Sequence, residues 1–547
     1  MEPQMDTREH RYKGNQRIGI RRLLKVSSGS ICVYLWLILL ASCSSKPTDM
    51  RSLVPADALV YLETNDLGAA LQPIIDSNPF NEVAKKKPDL SALKGVQLAV
   101  AVTGFETSEE KLNEEQSVGK IQPHFVAIAD THAWQFQTTR FAEQKLGSFV
   151  ADIYDSEPTL EEHEKGGGHY LTWTAKDDRK AYALVKGSLI YFGNDETSIE
   201  KCLAVARGEA DSIAKGGKVA ASEPGTLASG YVSQDGVAQI ANIFALKFAQ
   251  DASEEPEVQS GLASIVPKVL RKTVTDISWT QNNSESGLVD RWQINTPPDV
   301  ADYLEKAMTP RDGQDDGLGD LVPADADGVT KYNFKDPTRA WQDLVSIFFK
   351  NLDPTEQRIL FASTGAVFQP YAVEKPDLFL SSVTTAVVTV REKVSEEENA
   401  VVIAKGDVKQ TLASDLNLNH GRPPDSTDQA PLWRSKDQEL AAAMVSSGWV
   451  IGNAELVDKC VQATLNDSGF KKTAAYNRFV TTNASVFTVG HDADSAKSIA
   501  EMLSESNNNQ SSSEYVTETR FNQFGMERKT TSDFGFIGWI IAQLAEE

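Results

Sequence analysis

The stretch LVPADA, Leu53–Ala58, recurs as Leu321–Ala326, 268 positions further on. In each copy the proline, Pro55 or Pro323, fixes its own φ. Asp57 and Asp325 carry the short acceptor side chain that suits a turn, and Leu53 and Leu321 offer an anchor to a core. The turn therefore reads as structural, and its repetition raises the possibility that everything around it is repeated.

The likeness does continue. SLVPADALVYLETNDLGAALQPII from Ser52 and DLVPADADGVTKYNFKDPTRAWQDLV from Asp320 each pass from the turn into a short strand, then into a helix opened by Asp66 or Asp336. LIYFGNDETSIEKCLAVA (Leu189–Ala206) and WVIGNAELVDKCVQAT (Trp449–Thr464) each hold an apolar strand, a Gly-Asn helix start and a Lys-Cys pair. Cys202 and Cys460 are 258 apart, ten less than the prolines, the drift expected of diverged duplicates with unequal loops.

Element order is kept as well. VQLAVAV (Val96–Val102) and TTAVVTV (Thr384–Val390) run into Glu-rich tips and return as HFVAIAD (His124–Asp130) and AVVIAKG (Ala400–Gly406), the pattern of antiparallel hairpins. Each copy closes with a strand pair and a terminal helix, Asp299–Met308 or Phe534–Leu544, and the matching place of the apolar C-terminal helix leads one to expect that it covers its own sheet. The second copy lacks much of the helical segment Glu254–Arg271, and a polar loop at Ser504–Ser513 falls nearby. The expected architecture is α+β: two tandem homologous modules, residues 52–308 and 320–547, each an antiparallel sheet with flanking helices. A Gly/Asp-rich linker, 309–319, joins them. The pattern resembles exported bacterial domains of unassigned activity that open with a Leu-Pro-Ala-Asp turn, a resemblance that implies no catalytic residue.

The first 42 residues differ from the rest. Seven Lys and Arg precede the apolar run ICVYLWLILLAS, Ile31–Ser42, which is too short to span a bilayer and reads as a signal-peptide core. Leu40-Ala41-Ser42-Cys43 follows, and this resembles the lipobox of bacterial lipoproteins. The resemblance implies cleavage before Cys43, acylation of Cys43, a tether at 43–51, and, with Ser44 next, an outer-membrane address reached by the general secretion route. Several acyl chains give stable anchoring where one gives only a marginal hold.

Without residues 1–42 the chain has 47 basic and 74 acidic residues, a net charge of −27. Such a charge repels polyanions and argues against a nucleic-acid partner. Cys202 and Cys460 are then the remaining thiols besides Cys43, too few for a disulfide framework, with no CxxC for zinc or redox chemistry. Each lies on an apolar helical face, which favours a buried thiol. A bond between the two stays open as the alternative in an oxidising compartment.

The chemical motifs are sparse. His163 and His169 flank three glycines at an interval of six, which denies the helical pairing of HExxH and reads as a flexible loop. Asp312–Asp320 lacks the alternating ligands and closing Glu of a calcium loop. No GxSxG, Walker A or GxGxxG occurs. The sequence thus nominates no catalytic residue, metal site or cofactor. The expected role is non-enzymatic binding or structure at the envelope, with a protein or glycan partner. The alternative is a periplasmic hydrolase using dispersed carboxylates in a cleft between modules, and a pocket with convergent carboxylates would favour it.

Overall fold

The computed structural model describes residues 48–546 except 112–116, 155, 253–255, 313–315, 351, 395–396, 413–415, 417–430, 446–447, 466–468 and 508. Cys43 and the signal segment lie outside the described residues. No helix among those described is long and apolar enough to cross a membrane.

The protein is α+β, with antiparallel strand pairing throughout. In the first half the strands are β1 (Val60–Thr64), β2 (Gln97–Lys111), β3 (Ser117–Asp130), β4 (Thr159–Lys165), β5 (Gly168–Thr174), β6 (Lys180–Lys186), β7 (Leu189–Gly193), β8 (Thr226–Ser233), β9 (Asp276–Ser284) and β10 (Gly287–Asn295). In the second they are β11 (Gly328–Tyr332), β12 (Val387–Val394), β13 (Glu397–Lys405), β14 (Leu432–Arg434), β15 (Leu440–Val445), β16 (Gly448–Asn453), β17 (Val486–Asp492), β18 (Ser513–Asn522) and β19 (Gly525–Ser532).

Register pairs order the first half as β4-β5-β6-β7-β3-β2-β1-β8-β9-β10. The second half runs β14-β15-β16-β13-β12-β11-β17-β18-β19. Among the described residues the two orders agree strand for strand, with β4 the one addition.

The expectation of a separate sheet in each module is corrected. β10 pairs with β19 along its whole length, Leu288 opposite Ser532 to Asn295 opposite Gly525, making a single 19-stranded sheet. At the centre of this seam Arg291 faces Lys529, and these two residues hold the same register within their own halves. The physical reason is the edge-strand problem: each half ends in a long strand with unpaired N–H and C=O groups, and pairing the two ends removes both edges.

The repeated turns behave alike. Pro55 bridges Ser212 and Pro323 bridges Gly469, so each turn is fastened to the segment after its Cys helix. Leu321 is buried and Leu53 packs partly buried against the core. The aspartates differ from expectation. The Ala56 and Ala58 N–H groups go to backbone carbonyls, and Asp57 instead faces Lys201 at 3.8 Å. Asp325 likewise acts on Lys459. Asp66 and Asp336 accept from the N–H groups of Ala69 and Arg339 as N-caps.

Two further expectations change. The linker is laid down on the second half: Pro310 bridges Phe334, Leu318 is fully buried, and Asp316 approaches Lys331 at 4.0 Å. The C-terminal helix, Gly535–Glu546, covers more than its own half. It packs on β10 and on the first-half helix Leu67–Asp76, while the first half's terminal helix, Pro298–Ala307, packs on β18, β19 and the helix Pro337–Phe349. Each terminal helix thus crosses the seam. Gly538 permits the close approach, since a Cβ there would meet Phe534 at 2.6 Å and Ile499 and Ile74 at about 3.5 Å.

Candidate functional site

The two faces of the sheet are used differently. One carries the Cys helices, Glu196–Ala206 and Ala454–Leu465, with Cys202 and Cys460 fully buried in separate cores. Both thiols are free. Burial pushes the Cys202 thiol up to about 12 and the Cys460 thiol higher still, which keeps both protonated and unreactive.

That face also hides a charge at the same place in each half. Glu63 on β1 and Lys331 on β11, 268 residues apart like the prolines, are 6% and 2% exposed. Glu63 accepts from Tyr61 Oη (2.7 Å), Ser222 Oγ (2.7 Å) and Ser229 Oγ (3.1 Å). Lys331 Nζ donates to the Phe479 carbonyl at 3.4 Å and stands 5.1 Å from that ring's centroid, with Asp316 of the linker opposite. Neither was singled out from sequence, because a charge alternating in a short strand reads as its solvent side.

The opposite face holds a large chamber of about 940 Å³. Nine neighbouring strands, β8 to β13 across the seam, supply its floor, from Val232, Ile277 and Ile294 through Met526 and Val486 to Val402. Its roof comes from the helices Gln234–Ala252, Pro256–Thr273 and Pro298–Ala307 of the first half and Pro337–Phe349 of the second. The roof is tied together where Lys268 pairs with Glu356 (2.6 Å) and where Gly261 lets Ile359 approach. Among its described lining residues Arg391 is the one charged side chain; the polar remainder is a few Thr and Tyr hydroxyls and one Trp. Exposed Phe244 and Val367 stand on its rim.

The chamber arises from an asymmetry between the halves. The matching place across the seam is a solid core of Leu71, Ile74, Leu288, Ile499, Phe534 and Ala542. There a nine-residue helix, Ser495–Leu503, and the ten-residue Leu67–Asp76 lie close to the sheet. Their counterparts have 19 and 13 residues, and the additional helix Pro256–Thr273 packs along Gln234–Ala252 in the roof. An apolar cavity of about 150 Å³ already binds a benzene-sized ligand, so one several times larger has room for a chain.

A polar groove of about 650 Å³ continues the chamber along the same face, sharing Tyr332, Arg391 and Val486 with it.

The sequence-nominated histidines part company. β4 and β5 make a tight hairpin through Gly166 and Gly167, both at positive φ, so His163 sits in a strand and the expected loop is corrected. His163 packs on Tyr170 on one side of the hairpin (5.0 Å between rings). His169 Nε2 lies 3.4 Å from Glu143 and 3.5 Å from Glu162 on the other. These three side chains are close enough to hold an ion, and the described residues of the second half contain no counterpart of them. Glu143 and Glu162 are invisible as partners in sequence because they come from a helical segment and a strand that meet only in the fold. The part of Asp312–Asp320 that is described holds Asp316 toward Lys331 and does not gather carboxylates around a point.

The chain matches no family model, no curated protein and no solved structure.

Proposed function

We propose that this is a lipid-anchored protein of the bacterial cell envelope, built from two fused copies of one α+β module, that binds the apolar chain of an amphiphile between them. The chamber carries the reading. About 940 Å³ bounded almost wholly by carbon is at the upper end of small-molecule sites, and an apolar space of that size across the seam suits a hydrocarbon chain. The described lining contains no carboxylate pair, so the two-acid hydrolase mechanism finds no acid and base here. The duplication rests on the matching strand orders and on paired positions such as Pro55 and Pro323 or Cys202 and Cys460, which serve folding in both halves. The anchor rests on Leu40-Ala41-Ser42-Cys43.

A fatty acid carrying an alkyl diazirine, added to membranes that hold the full-length protein, tests the binding reading. Irradiation is expected to label peptides from 232–277 and 332–402. Labelling confined to the neighbourhood of Cys43 contradicts it. For the anchor, Cys43→Ala is expected to abolish incorporation of labelled palmitate and to leave an uncleaved precursor.

A further inference from the structure

We infer that the occupant is an anionic amphiphile, a fatty acid or a lysophospholipid, whose head lies in the groove beside Arg391 while its chain enters the chamber. This inference rests on the chamber reading above and adds the chemistry of the head.

The argument is the order of side chains along one face of β12-β11-β17-β18-β19. Register places three cross-strand rows one behind another. The outermost is Arg391–Gly328–Gly490–Tyr515. Behind it come five threonines, Thr389–Thr330–Thr488–Thr517–Thr530. The innermost row is Val387–Tyr332–Val486–Thr519–Arg528, and from there the chamber opens. Strand rise sets the outer and inner rows about 13 Å apart. On β12, β11 and β17 polarity therefore falls stepwise, from Arg391 through Thr389, Thr330 and Thr488 to Val387, Tyr332 and Val486, over the length of a head and the first carbons of a tail, while Arg528 closes the far end of the innermost row.

The outer row is also cleared of bulk. Gly328 and Gly490 lie side by side, and the Tyr515 phenol lies across Gly490 where any Cβ would overlap it. The result is an open floor at Gly328 beside Arg391, with the Tyr515 phenol laid over Gly490 and its hydroxyl facing that opening. The threonine row satisfies much of itself, Thr330 with Thr488 at 3.1 Å and Thr517 with Thr530 at 2.9 Å, and leaves further hydroxyl capacity to a ligand.

The charge is cationic despite the strongly acidic chain. Arg391, Lys393 and Arg528 line the groove with His491. Of its two acids Glu392 is held by Lys459, and Asp327 accepts from the Lys393 N–H at 2.7 Å and keeps its charge; Lys393 Nζ reaches Asp494 at 3.8 Å, which leaves the two arginines to carry the positive side of the groove. Arg391 Nη2 donates to Tyr371 Oη at 3.4 Å, which stations the guanidinium at the junction of groove and chamber. Planar guanidinium donors match a carboxylate or a phosphate, and neither is offered by a neutral glyceride head.

The test is competition against the diazirine fatty acid in membranes holding the full-length protein. Palmitate and a phosphate-headed lysolipid are the anionic arms, and monopalmitoylglycerol is the neutral one. Chamber labelling is expected to fall with either anionic competitor at a concentration at least about tenfold below the neutral one, as loss of a charged hydrogen bond implies. The ratio between the two anionic arms says which head the groove prefers. Arg391→Gln is expected to erase that preference and Arg391→Lys to retain part of it, with chamber labelling itself persisting. Equal competition by the neutral lipid, or an unchanged preference in Arg391→Gln and Arg528→Gln alike, overturns the inference and leaves the chamber reading standing. No chamber labelling in the wild type overturns both.

Discussion

Asp290 on β10 holds the C-terminal helix across the seam, and it does so at a cost that pH reveals. The residue is 2% exposed. Its carboxyl accepts from Trp279 Nε1 at 2.9 Å, Gln281 Nε2 at 3.1 Å and the Phe536 N–H at 2.9 Å, the last in the first turn of that helix. Phe536 meets both Trp279 and Trp292 edge to face, at 5.0 and 4.7 Å between ring centroids, beside the Trp279 indole that donates to the carboxyl. Burial pushes the carboxyl from its ordinary 3.8 up to about 6, and the three donors only partly offset this. A carboxyl raised in the folded state binds its proton more tightly there, so its contribution to stability is full below about pH 3.8 and is lost as pH rises through about 6. The rise corresponds to about 3 kcal/mol. Asp290→Asn cannot ionise. The unfolding free energy of wild type minus that of the variant is therefore expected to fall by about 2.4 kcal/mol between pH 4 and pH 7, the first ~0.6 kcal/mol having been lost below pH 4. Urea titrations of the full-length protein followed by tryptophan fluorescence measure it. Taking the difference cancels the many other carboxylates. A difference that stays flat, or that grows with pH, would mean the donors outweigh burial and would refute the argument.

Other expectations follow from the same packing. Ala241→Leu adds three carbons at the chamber wall. It is expected to stabilise by up to about 2 kcal/mol in calorimetry if they enter empty apolar space, whereas a filled core would lose about 1–3 kcal/mol. Glu63→Leu leaves the Tyr61, Ser222 and Ser229 hydroxyls without their acceptor and is expected to cost about 2–4 kcal/mol in the same assay; a neutral result would mean water replaces the carboxylate. Cys202 and Cys460 are expected to resist a thiol reagent until denaturant is added and then to react as two free thiols, while a protein that yields no new thiol on unfolding would carry a bond between them.

Local features were legible in the sequence. The Pro55 and Pro323 turns, the Asp66 and Asp336 caps and the buried Cys helices each depend on residues within a turn or two of one another, so their pattern survives in the linear string. The β10–β19 seam was not legible, because a strand's hydrogen-bonding edge is the same backbone whatever it pairs with, and Arg291 opposite Lys529 even reads as repulsion. HEKGGGH read as a loop because three glycines suggest freedom, yet two of them supply the positive φ of a hairpin turn. The chamber left no motif, since its lining is ordinary hydrophobic sequence and its existence depends on helix lengths. The one hint was the helical segment Glu254–Arg271, much of which the second copy lacks.

The central claim is that the space between the halves is occupied by an acyl chain. Native mass spectrometry of the full-length protein, extracted from its own membranes in a detergent too bulky to enter the chamber, tests this most directly. One amphiphile is expected to remain non-covalently bound per chain, in addition to the covalent lipid of Cys43, and to be lost in a variant whose chamber is filled, such as Ala241→Trp with Ala340→Phe. A protein carrying only its covalent lipid, and taking up none when palmitate is supplied, would contradict the account.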